Sequence, residues 1–241
     1  TRRCSVVHFH PAAHDVLLNL FPSQTDSLNT QYANYLTSQG LSDTDPGVSV
    51  GQQAAAGILA LRANDGRFPP NQTPFVGSAE IGVWRPTPSY LPGPPPTLSP
   101  GATPWLAAVT PFTLKRPSQF RADPPYKLSS KRYAKEYNEV KTLGALQGSV
   151  RTPEQTDLAY FYADNTILLW DRALRNVSNA YVTDISDSSR LFALASMAVA
   201  DALITCWDSK YHYVFWRPVT AIQEGDNDGN SQTIGDPTWQ P

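Results

Sequence analysis

Apolar positions along most of this chain recur at helical rather than strand spacing. The first helical pattern starts near Pro11, a residue suited to a first turn, and runs through Leu20, where Pro22 ends it. A second helix is predicted from Asp26 to Gln39, with Leu28, Tyr32, Tyr35 and Leu36 on one face and Gly40 as its stop. A third is predicted from Asp45 to Asp65; its small-residue run Gln53-Ala-Ala-Ala-Gly57 permits close helix approach, and Gly66 closes it. Helical spacing resumes at Ser129, with Tyr133, Tyr137 and Val140 in register, and stops at Gly144. Thr152-Pro153-Glu154-Gln155 then combines an N-cap threonine, a first-turn proline and a capping-box glutamine, and opens a helix expected to reach about Asn176. The last helix begins near Ser186 or Asp187 and runs through Trp207. Strand alternation and internal repeats are lacking, so the fold class is mainly α, a helical bundle.

The stretch from Gly66 to Leu128 breaks this pattern. Most of the prolines fall there, including Pro94-Pro-Pro96, at a density that neither a helix nor a central strand accepts. The interleaved Trp84, Trp105 and Phe112 point to an ordered, extended arm wrapped over a helical body rather than to a disordered linker. The organisation expected is one helical domain over residues 1–241 with residues 66–128 as its arm.

At 241 residues the chain can bury a real core. Charged residues make up only 17% and the formal net charge is −2, which gives no reason to expect nucleic acid or an anionic membrane surface as partner. The most apolar run, Leu191 to Trp207, is interrupted by Asp201 and short for a membrane span, so it reads as a buried helix. Cys4 and Cys206 make neither a zinc pattern nor a redox dithiol. They could form a disulfide tying the N-terminus to the apolar helix, or remain two inert thiols. Sequons occur at Asn71-Gln-Thr73 and Asn176-Val-Ser178. Thr1-Arg-Arg-Cys4 carries no apolar signal region, which a processed N-terminus would also lack.

The strongest candidate chemistry lies in Lys210-Tyr-His-Tyr-Val-Phe-Trp216-Arg217-Pro218. Two permanent cations stand seven residues apart, so a continuous helix would project both from one face. A point-charge lysine and a fork-shaped arginine suit a tetrahedral oxyanion. The plainer reading makes them helix-end cations satisfying carbonyls and surface carboxylates. His8-Phe-His10 with His14 offers three imidazoles for a metal, against core or surface histidines. Asp226-Asn-Asp228-Gly-Asn230 resembles a calcium loop but lacks its sixth-position glycine and twelfth-position glutamate; an Asx-rich turn fits better. Asp164-Asn165 either orients an arginine or faces solvent, and Asp201 needs a hydrogen-bond or cationic partner.

Asp201-Ala-Leu-Ile-Thr-Cys-Trp207-Asp-Ser-Lys210 followed by Phe215-Trp216-Arg217-Pro218 resembles the first signature motif of the vanadium-dependent haloperoxidases, which share a helical bundle with type 2 phosphatidic-acid phosphatases and bacterial acid phosphatases. Ala13-His-Asp-Val-Leu17, Phe21-Pro-Ser-Gln24, Gly82-Val-Trp-Arg-Pro-Thr-Pro88, Thr110-Pro-Phe112, Pro117-Ser-Gln-Phe120, Tyr137-Asn-Glu-Val-Lys141, Gly225–Asn230 and Asp236-Pro-Thr-Trp239 are similar to segments of that group too. The resemblance implies that Lys210 and Arg217 hold the equatorial oxygens of vanadate, or of phosphate as substrate. It implies that Trp207 lines the halide side and that His212 neighbours the site. The family's Ser-Gly-His segment and its later arginine and histidine have no match here. Halide oxidation by peroxide is therefore expected only with a further C-terminal segment or a second chain, and the exposed faces of an incomplete bundle would also favour a homo-oligomer. A phosphomonoesterase of the same superfamily and a non-catalytic anion-binding or structural protein stand as alternatives. The expected location is secreted or periplasmic.

Overall fold

The computed structural model describes residues 2–88, 98 and 100–241, with the backbone alone for residues 2–9. Pro94-Pro-Pro96 and the side chains of Cys4 and His8 fall outside the described parts. The described residues form eight α-helices, four short 3₁₀ turns and no strand beyond two isolated bridges, Phe75 with Gly101 and Val83 with Phe215. The mainly helical fold read from periodicity is the fold observed.

The chain divides into two compact units. The first comprises Thr1–Asp65 and Trp170–Met197, the second Gly66–Leu169 and Ala198–Pro241. In the first unit α1 (Arg2–Leu20) packs on α3 (Pro46–Leu61), while α2 (Thr25–Gln39) is capped by Gly40 in the left-handed region at φ 62°. Helix α1 starts well before Pro11, which sits inside it, so the proline is no first-turn signal here. The buried stripe of α3 is Gly47, Val48, Gly51 and Ala55 rather than the run 53–57. Those residues recur about one turn apart, and their small side chains let α1 come close. Helix α3 ends four residues short of the expected Asp65, whose carboxylate instead accepts from the buried Arg62 Nε at 2.9 Å.

In the second unit α4 (Lys131–Leu143) is capped by the Ser130 hydroxyl, which accepts from the Tyr133 N–H. The core gathers Tyr133 and Tyr137 from α4, Val219, Ala221 and Ile222 from α8 (Pro218–Gln223), and Trp216 and Trp239. Burial and the nearby Asp228, Asp226 and Asp236 push the Tyr137 hydroxyl up to about 12. It stays protonated and donates to the Ile234 carbonyl at 2.8 Å. This core fixes α8, and with it the residue at its N-cap, Arg217.

Two expectations need correction. The single helix expected from Thr152 to about Asn176 is two, α5 (Pro153–Ala163) and α6 (Thr166–Tyr181). The capping box at Thr152–Gln155 forms as read, but Asp164 turns extended, at φ −67° and ψ 166°, and the Asn165 side-chain oxygen accepts from the Ile167 and Leu168 N–H groups at 3.0 and 3.2 Å. Asp164-Asn165 is thus a helix stop and start. The apolar run near the end belongs to α7 (Ile185–Tyr213), of which only Asp201 and Ile204 are buried. Among the described residues α7 is the one helix long and apolar enough to cross a membrane by length and composition.

Candidate functional site

The last turns of α7 are tied to the arm on two faces. On one, Trp207 Nε1 donates to the Ala102 carbonyl and the Thr103 hydroxyl, both at 3.1 Å, and the Tyr211 hydroxyl donates to the same Ala102 carbonyl at 2.7 Å. This contact needs Gly101, because a Cβ there would lie 2.7 Å from the Tyr211 hydroxyl oxygen. Lys210 lies between these aromatics, its Nζ 4.9 Å from the Trp207 ring centroid and 5.6 Å from that of Tyr211.

On the other face, Arg121 grips Asp208 with two hydrogen bonds, Nε to Oδ2 at 2.6 Å and Nη2 to Oδ1 at 2.9 Å. The Arg121 bond, the Arg121 charge and the charge of His212 hold the Asp208 carboxyl below the usual range against some desolvation. His212, exposed and edge-on to the Tyr213 ring at 4.8 Å, lies one turn beyond Asp208. Higher on α7, buried Asp201 accepts from the N–H groups of Phe112, Thr113 and Leu114 at 2.6, 2.7 and 3.2 Å, and from the Thr113 hydroxyl at 2.6 Å. Burial works to raise its pKa, but these four donors outweigh burial and leave the carboxyl below its ordinary value. The partner that Asp201 required is this turn of the arm.

The helix does not continue from Lys210 to Arg217. It ends at Tyr213, and Val214 takes φ 48°, a left-handed conformation that costs a β-branched residue about 1–3 kcal/mol. Phe215 and Trp216 run extended, and Arg217 becomes the N-cap of α8 at φ −76° and ψ 154°. The seven-residue spacing acts through a kink between two helices, not along one helical face. Burial, then the charge of Arg217, lowers the pKa of Lys210, and Cys206 offsets this in part. Among the described residues neither Lys210 nor Arg217 makes a salt bridge to a carboxylate.

Of the other candidates, the His8 side chain lies outside the described residues, and the rest engage their neighbours. His10 stacks on Tyr35 at 3.4 Å between centroids and His14 on Tyr32 at 4.3 Å. The His14 ring nitrogens each lie 2.9 Å from an oxygen, of Asp15 and of Asn29. No group of three metal-ligating side chains occurs among the described residues. In the Asp226–Asn230 loop the carboxylates are used internally: Asp228 accepts from the Asn230 N–H at 2.8 Å and from the Thr233 hydroxyl at 2.8 and 2.7 Å, and Asp226 from the Gly235 N–H at 2.8 Å. Cys206 is an exposed free thiol. Sequence reasoning missed the roles of Arg121 and Arg85. Arg85, in the family-like segment Gly82–Pro88, pairs with Glu224 at the end of α8; only its place in that segment hinted at a role.

Comparison with known proteins agrees with the motif. The VCPO second helical-bundle domain family matches residues 190–241, the stretch holding Trp207, Lys210, His212 and Arg217. The vanadium chloroperoxidase of Curvularia inaequalis is 27% identical over 159 residues, which are 56% of this chain and 26% of that protein. A crystal structure described as the first bacterial vanadium-dependent iodoperoxidase superposes with a TM-score of 0.65 at 25% identity, covering 86% of this chain and 51% of that one. An apo-type bacterial vanadium-dependent chloroperoxidase superposes with a TM-score of 0.68 at 20% identity, covering 90% and 54%. The chain thus spans about half the length of these solved structures and about a quarter of the curated relative. Over that length, by motif and by fold, it belongs to the superfamily of the vanadium-dependent haloperoxidases.

Proposed function

We propose that Lys210 and Arg217 form the cationic half of an oxyanion site, and that the protein carrying this chain is a vanadium-dependent haloperoxidase-like enzyme. One observation carries the reading: Lys210 on the last turn of α7 and Arg217 at the N-cap of α8 flank the single kink at Val214, and no carboxylate salt bridge neutralises either among the described residues. Bringing like charges together costs free energy until an anion arrives.

The residues present fit vanadate. Lys210 offers three rotatable donors on a point charge, and Arg217 offers a planar fork, so together they can bind oxygens on one side of a tetrahedral oxyanion. When bound, vanadate would supply the centre at which hydrogen peroxide is activated toward halide. The chain's own part is to bind and orient that oxyanion and to offset its negative charge. Trp207, its N–H already engaged by Ala102 and Thr103, offers only its ring to a halide beside Lys210. His212 stands on the Asp208 side of the helix, edge-on to the Tyr213 ring. Groups completing the cradle would come from a further segment or a second chain.

The test is activity of the full-length protein after loading with vanadate. Peroxide- and bromide-dependent halogenation of a chromogenic acceptor, lost on Arg217→Ala, is the expected result. Turnover of a chromogenic phosphate ester, inhibited by vanadate, would assign it to the phosphomonoesterases instead. Neither activity in vanadate-loaded protein would leave an anion-binding protein without catalysis.

A further inference from the structure

The Lys210–Arg217 arrangement depends on a kink that the local sequence does not favour, since Val214 is β-branched and left-handed at φ 48°. A segment more than a hundred residues earlier holds that kink from both sides. The Trp84 N–H donates to the Val214 carbonyl at 2.7 Å, the Trp216 N–H donates to the Gly82 carbonyl at 3.0 Å, and Val83 bridges Phe215 in antiparallel register. The next residue, Arg85, reaches past α8. Its Nη2 pairs with Glu224 at the C-cap of that helix, while its Nη1 donates to the Ala79 carbonyl at 3.0 Å. Helix α8 is therefore gripped just before Arg217, through Trp216, and at its far end, through Glu224. Trp84 and Trp216 are both buried, which anchors the contact.

We infer that Gly82–Arg85 is a splint that positions Arg217 against Lys210, with the Arg85–Glu224 ion pair as its adjustable end. Arg85 and Glu224 are positioning residues, acting through Arg217 without touching the anion. The inference rests on the oxyanion reading of Lys210 and Arg217. It adds that this site is set from the arm, and that its anion affinity responds to changes at a pair outside it. Part of the depression of the Lys210 pKa comes from Arg217, so the Lys210 ammonium reports where Arg217 stands.

The experiment measures vanadate affinity, and the Lys210 titration by NMR, in the full-length protein and in the Arg217→Ala background. The variants are Arg85→Ala, Glu224→Gln and the swap Arg85→Glu with Glu224→Arg. Glu224→Gln keeps the side-chain shape and serves if Arg85→Ala does not fold. The splint predicts that Arg85→Ala and Glu224→Gln each weaken vanadate binding about fivefold or more in the parent and less than about twofold once Arg217 is gone. It predicts that the swap restores most of the affinity and that Lys210 titrates higher in the single variants. Equal losses in both backgrounds, or no loss in the parent, would overturn it. If Arg217→Ala itself leaves vanadate affinity unchanged, the oxyanion reading fails, and the Lys210 titration alone decides the splint. An upward move on Arg85→Ala that is absent in the Arg217→Ala background sustains it, and an unmoved titration refutes it.

Discussion

Asp208 receives Arg121 through two nearly parallel hydrogen bonds, of 2.6 and 2.9 Å, and so fastens the end of α7 to the arm two residues before Lys210. The pair joins residues 87 apart in sequence. Arg121→Ala and Asp208→Asn should each lower the thermal unfolding temperature, and the double variant should be no worse than the sum of one loss, because both remove the same contact. Additive losses would mean that the two side chains act separately.

Two carboxylates of α7 predict a sensitivity to acid. Asp201 and Asp208 have folded pKa values below their ordinary ones. Their stabilisation is therefore complete above the unfolded aspartate value of about 3.9 and is lost as pH falls through the lower folded values. Unfolding followed from pH 6 down to about 2 should show stability falling in that window. Asp201→Asn should flatten the fall.

Asp201→Ala removes the acceptor of three backbone N–H groups and a hydroxyl. It should destabilise the protein by roughly 3 kcal/mol, because four donors lose a charged acceptor at once. Denaturant unfolding measures this directly. A loss under about 1 kcal/mol would mean that water replaces the carboxylate freely.

Asn165 starts α6 by accepting from two N–H groups. Asn165→Ala should cost about 1 kcal/mol, and Asn165→Asp much less. Equal losses for both would show that the cap carries no weight.

Lys210 must be protonated to bind an anion, and its proton affinity is already lowered by burial and by Arg217. Affinity for sulfate, whose own charge is fixed near neutrality, should therefore fall with rising pH at a value below the ordinary lysine pKa of about 10.4. In the Arg217→Ala variant the fall should move to higher pH, since one depressing charge is gone. Calorimetric titration across pH 7 to about 10.5 reads both.

Much of the fold could be read because its signals are local. Gly40 stops α2, and Thr152–Gln155 caps α5, since each motif's hydrogen bonds close within a few residues. The break at Asp164-Asn165 went unread although its cap is local, because apolar residues on both sides kept the helical pattern running through it. At the site, residue types and the motif named Lys210 and Arg217. The sequence could not place them, because the kink at Val214 is fixed by Gly82 and Trp84, and Arg121 and Arg85 act on partners 87 and 139 residues away. Contacts made through tertiary folding leave no periodic trace in either segment.

On the proposed function, Lys210 and Arg217 bind one oxyanion together. The most direct measurement is the vanadate dissociation constant of the protein against its Arg217→Ala variant, at neutral pH and fixed ionic strength. A charge-assisted hydrogen-bonded contact is worth about 1.5–3 kcal/mol, so affinity should weaken at least about tenfold. An unchanged constant in a folded variant would remove this motif from the site.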